Sequence, residues 1–117
     1  MTVTKTGNVY KATRITGPQH NFLGLILSET SVPSMTLERL WVDASEAEAE
    51  MLDEQQLIDA VQRGVAEANK ALGTHFYVER LQYVATDTPY PAAYYALAKQ
   101  IIEQAMMDAR LKEPARG

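Results

Sequence analysis

The 117-residue chain contains no cysteine. That excludes disulfides, thiolate nucleophiles and cysteine-ligated zinc together. Its six glycines, at positions 7, 17, 24, 64, 73 and 117, are isolated from one another. A phosphate-cradling loop needs several glycines close together, so the chain has none. The two histidines, His20 and His75, lack any metal-ligand spacing. No Asp-x-Asp-x-Asp-Gly calcium loop occurs, and no serine sits in a nucleophile elbow. Basic residues are outnumbered, 11 against 15 acidic, for a net charge of −4. They are scattered, with no Lys/Arg-rich window. Phosphate neutralisation supplies most nucleic-acid affinity, so the charge argues against a nucleic-acid partner. The longest strongly apolar run, Phe22 to Leu27, is far short of the ~20 residues of a membrane helix. Met1 to Gly7 lacks the apolar centre of a signal peptide. A soluble, cytoplasmic protein is expected, with no membrane contact, no metal and no cofactor.

What is present is ordinary globular material: 46% hydrophobic and 22% charged residues. Disordered chains are poorer in apolar residues and richer in net charge. The length suits one domain, expected over residues 1–112. Pro114 stops the final helix and leaves 113–117 as a flexible tail.

Residues 8–16 are rich in β-favouring side chains alternating with polar ones, and predict a strand ended by Gly17-Pro18. Phe22 to Leu27 predicts a second strand, apolar on both faces and hence central. Gly24 inside it points to a bulge or a close backbone approach. Thr36 to Asp43 predicts a third strand. The stretch 43–54 carries Glu46, Glu48, Glu50, Asp53 and Glu54 with no base among them, and reads as solvated, self-repelling charge.

Asp53 followed by Gln56 is a helix start of the capping-box kind. Leu57, Val61, Val65, Ala68 and Leu72 then form one apolar stripe, and Gly73 supplies the left-handed C-cap. Asp59 and Arg63 stand four apart on the outer side, the spacing of a helical ion pair. His75 to Ala85 predicts a fourth strand, with a bulge or an edge position where the apolar face shifts near Arg80. On that strand His75 and Glu79 share a face but lie too far apart for a direct hydrogen bond. Thr86 to Pro91 is a capped helix start. From Ala92 to about Leu111, Tyr94, Ala98, Ile101, Ala105 and Ala109 share one face.

The order is βββαβα. It predicts an α+β fold: a two-layer sandwich of a four-stranded, mainly antiparallel sheet with two helices on one face. The first three strands are expected to pair antiparallel through short connections. This element order resembles the fourth domain of elongation factor G and its relatives. The matching piece is Tyr77-Val78-Glu79-Arg80-Leu81-Gln82-Tyr83-Val84-Ala85-Thr86-Asp87 leading into Ala93-Tyr94-Tyr95-Ala96-Leu97-Ala98. The resemblance is one of topology and brings no functional residue with it. It implies a contact with RNA or the ribosome, which the charge opposes.

No residue constellation points to catalysis, so no catalytic residue is assigned. Candidate ligand or partner residues are His20, in a predicted loop, Asp87 at a helix start, and Tyr90 and Tyr95, which fall off the apolar stripe. Met107 and Leu111 fall toward the polar face of the last helix, a candidate patch for self-association. The primary expectation is a small non-enzymatic binding or accessory protein acting through a protein partner or as a homo-oligomer. A small-molecule enzyme or ligand binder is the alternative, with His20, Asp87 and a tyrosine converging between helices and sheet.

Overall fold

A computed structural model describes residues 2–16, 19–40, 53–84 and 91–112, apart from the side chains of Thr16, Gln19, His20, Leu111 and Lys112. The elements run β1 (Thr2–Thr6), β2 (Val9–Thr16), β3 (Gln19–Ser28), β4 (Thr36–Leu40), α1 (Glu54–Leu72), β5 (Tyr77–Val84) and α2 (Pro91–Lys112). The fold is α+β, as expected. Its sheet has five strands rather than four, in the order β1-β2-β3-β5-β4. The tail 113–117, Gly17-Pro18 and the acidic stretch up to residue 52 lie outside the described residues.

The additional strand is β1, Thr-Val-Thr-Lys-Thr, antiparallel to β2. Threonine and valine suit a pleated edge. The reversal into β2 falls at Gly7-Asn8, between Thr6 and its partner Val9. Gly7 has φ +62 while Asn8 keeps a negative φ. A two-residue hairpin with only its first residue at positive φ has the pattern of a type II′ turn, which glycine permits.

The predicted antiparallel run of 8–16, 22–27 and 36–43 is corrected at its third member. β2 and β3 pair antiparallel, but β4 leaves β3 and pairs parallel with β5. β5 lies between them, antiparallel to β3. The side chains explain the order. β5 buries Val78, Leu81 and Tyr83, as an inner strand should. β4 is short and carries Glu38 and Arg39, which suits an edge. Joining parallel strands requires a crossover, and α1 supplies it. β3 is central, as predicted. The shift near Arg80 is a bulge: Ile26 faces Arg80 and Leu27 faces Val78, so Glu79 is the extra residue.

Register sorts the two faces. Val3, Ala12, Leu23, Tyr83 and Arg39 form one row, and Lys5, Tyr10, Leu25, Leu81 and Leu37 the next. These rows meet the helices. Leu23, Leu25, Leu81, Leu57, Val61, Leu97, Ile101 and Ile102 are at or near zero exposure in one continuous core. Each fully buried leucine contributes about 2 kcal/mol of transfer free energy. α2 crosses β2 and β3 and lies along α1.

Both ends of α1 are as the local residues dictate. The Asp53 carboxylate accepts the amides of Gln55 (2.9 Å) and Gln56 (3.2 Å). Gly73 closes the helix at φ +69, ψ +32. Asn69 then locks the turn into β5. Its Oδ1 accepts from the Thr74 hydroxyl (2.8 Å) and the Phe76 amide (3.1 Å), and its Nδ2 donates to the Phe76 carbonyl (2.9 Å).

Candidate functional site

Of the predicted site residues, Tyr95 and Met107 are described with their side chains and His20 by its backbone alone. The backbone of His20 is in β3, paired with Ile15, and not in a loop. The β2–β3 ladder continues to Thr16 and Gln19, which carries His20 into the sheet. Asp87 and Tyr90 lie outside the described residues, and so does the side chain of Leu111. Met107 is 53% exposed on α2. His75 precedes β5 and Glu79 is the bulge residue, so the shared strand face expected for them is not formed.

Tyr95 is the exception, because the fold builds a site around it. Its carbonyl sits against Gly64, where α2 packs on α1. A Cβ added at Gly64 would lie 2.6 Å from the Tyr95 oxygen and 3.1 Å from the Ala98 Cβ. The Tyr95 ring emerges at the surface of this crossing, half-buried. The Arg63 guanidinium stands 5.4 Å from the ring centroid and the Lys99 ammonium 5.2 Å from it. Both distances are those of cation–π contacts. The ion pair expected between Asp59 and Arg63 is not formed. Asp59 instead accepts from Gln55 Nε2 at 2.9 Å. Arg63 gains more from an aromatic face on the neighbouring helix than from an exposed carboxylate, whose pairing is worth only ~0.3–0.5 kcal/mol. Arg63, Glu67, Ala92 and Tyr95 line a shallow hollow of about 320 Å³.

Two further polar clusters tie helices to sheet. The hydroxyl of Tyr10, on β2, donates to Asp108 Oδ2 at 2.8 Å, and Gln104 donates to the other oxygen at 3.0 Å. The Tyr83 hydroxyl donates to Glu54 at 2.8 Å and accepts from Arg39 Nε at 3.4 Å. Burial pushes both phenols above their ordinary range. For Tyr10 the Asp108 carboxylate pushes the same way. For Tyr83 the guanidinium of Arg39 opposes burial, while Glu54 adds to it. Neither pair has the look of a general base, because each phenol holds its proton more tightly than usual.

A pH dependence follows. An unfolded tyrosine ionises near pH 10. The folded protein keeps these protons to higher pH, so the unfolded state loses protons first and gains stability relative to the fold. The contribution is complete below about pH 10 and falls as pH climbs beyond it. Urea denaturation followed from about pH 8 to 11 is expected to show this decline, and Tyr10→Phe is expected to flatten it. An equally steep decline in Tyr10→Phe would remove Tyr10 as its source.

The second face of the sheet carries the rows Thr4, Lys11, Gly24, Gln82, Glu38 and Thr6, Val9, Ile26, Arg80, Thr36. Among the described residues no helix covers it. Gln82 donates to Glu38, and Arg80 lies 3.7 Å from the same carboxylate. Gly24 makes room for this ladder, since a Cβ there would come within 2.8 Å of Gln82 Oε1. Phe22, Ile26, Leu40 and Val84 are half-buried, and Ile15 is 68% exposed.

On the helix side, a cleft of about 420 Å³ opens between the ends of α1 and α2, with Glu29, His75, Phe76, Met106 and Arg110 in its wall. No group of three or more metal-ligating side chains occurs among the described residues. No described helix is long and apolar enough to cross a membrane.

No protein-family model matches the chain, and no curated protein matches it.

Proposed function

We infer that the protein is a small, non-enzymatic binding or accessory module, cytoplasmic and soluble, that works by contact with a protein partner or a second copy of itself. The observation carrying this reading is the second face of the sheet, with Ile15 two-thirds exposed near half-buried Phe22, Val84 and Leu40. Exposed apolar surface rimmed by polar residues favours association, because water gains from its burial. Threonines of β1 and the Lys11–Glu38 row give that surface a polar frame.

Native mass spectrometry of the purified protein tests the reading. Wild type is expected as a dimer or larger assembly, and Ile15→Lys as a monomer with unchanged circular dichroism. A wild type that is monomeric at every concentration, and whose Ile15→Lys variant captures the same proteins from a lysate, would sink it.

The cleft at Phe76 supports a second reading as a small-molecule binder, since its volume is within the range of ligand sites. A discrete added mass on the freshly purified protein would favour that reading. Contact with RNA or the ribosome is a third reading, supported by element order and opposed by the net charge of −4.

A further inference from the structure

We propose that the Arg63–Tyr95–Lys99 cluster is a docking site for an acidic segment of a protein partner, one presenting consecutive carboxylate side chains. The proposal rests on the reading of the protein as a binding module but uses a different surface from the open sheet face.

Two cations share one aromatic ring here, one from each helix. Among the described residues neither has a carboxylate within ion-pair distance. The ring holds both cations by its face, which leaves their N–H donors directed elsewhere. Two cations close to one ring raise the local positive potential, which favours an anion there. The Tyr95 hydroxyl makes no hydrogen bond among the described residues, and adds a third donor.

The cluster is rigid at its base. Gly64 brings the backbone of Tyr95 against α1 with no room for even a methyl group. The hollow beside the cluster, about 320 Å³, is shallow and open, and suits an extended side chain more than an enclosed ligand. The carboxylate of Glu67 at its rim disfavours a doubly charged group. A chain of single carboxylates can place its charges on Arg63 and Lys99 and step past Glu67. A guanidinium also offers paired donors that match a carboxylate.

The test is a titration of the ¹⁵N-labelled protein with hexaglutamate, with hexaglutamine and inorganic phosphate as comparison probes. Hexaglutamate is expected to shift the amides around Arg63, Tyr95 and Lys99, and to bind more weakly as salt rises. Arg63→Gln/Lys99→Gln is expected to weaken binding by about tenfold or more, since charge-assisted contacts are the strong ones. Tyr95→Leu, which keeps both cations but removes their platform, is expected to weaken it by a smaller factor. Ile15→Lys should leave it unchanged, which separates this site from the open sheet face. Equal shifts with hexaglutamine, undiminished binding by the double variant, or binding of phosphate without hexaglutamate would each overturn the proposal.

Discussion

Replacing Gly64 with alanine is expected to destabilise the protein by about 2 kcal/mol, although alanine is the better helix former. In an exposed helix the same change stabilises by about 1 kcal/mol. Here the new Cβ would lie 2.6 Å from the Tyr95 carbonyl oxygen and 3.1 Å from the Ala98 Cβ. A backbone oxygen cannot rotate aside, so α1 and α2 must part. Parting loosens Val61, Val65, Leu97 and Ile101, all buried in the core the two helices share. Overpacking costs about 1–3 kcal/mol and occasionally more, the upper end applying where backbone must move, and this outweighs the ~1 kcal/mol that propensity returns. Ala66 is the control, because it is exposed on the same helix. Ala66→Gly should lose only the propensity, about 1 kcal/mol. Urea denaturation with an unchanged slope would measure both. A Gly64→Ala protein as stable as wild type would mean that the helices do not cross this closely.

Asn69→Ala should cost about 2–3 kcal/mol, because it removes three hydrogen bonds at about 1 kcal/mol net each. Two of them satisfy the amide and carbonyl of Phe76 where the chain leaves α1 for β5. Leaving those groups unpaired adds a desolvation cost wherever water does not reach them. Asn69→Asp separates the components. It retains the acceptor for Thr74 and Phe76 but loses the donor, and it places a negative charge near a helix C-terminus. An intermediate loss is expected, with amide exchange at Phe76 speeding up in both variants. If Asn69→Ala were neutral, the turn would be held by Gly73 and the helix alone.

The two cases differ in how far the residues announce them. Gly64 interrupts a good helical stripe, and an isolated glycine there signals close packing. Nothing local says that the neighbour is Tyr95. Asn69 looks like any polar residue on the outer side of α1, and its three partners come from a turn that only forms once β5 is in place. Arg63 illustrates the same limit more sharply. Its spacing from Asp59 points to a helical ion pair, yet its guanidinium goes to Tyr95 on another helix. A weak local rule loses to a better partner supplied by packing.

Local chemistry was enough for the elements with strong signals of their own. Asp53 and Gly73 bound α1 because a carboxylate can take free amides and glycine can turn left-handed without strain. The stripe Leu57, Val61, Val65 and Ala68 is buried as its spacing requires. β3 is central because it is apolar on both faces, and the bulge at Glu79 follows from the shift of apolar residues in β5. β1 was legible in principle from Gly7-Asn8 between β-branched runs, but its single apolar side chain, Val3, gives a weak period. Pairing was of another kind. That β5 enters between β3 and β4, making one pair parallel, depends on which strand has more apolar surface to bury against the helices. That is a competition among segments distant in the chain, and no window of sequence contains both competitors. The cluster at Tyr95 has the same origin. Its residues come from two helices, and it exists because Gly64 lets them touch.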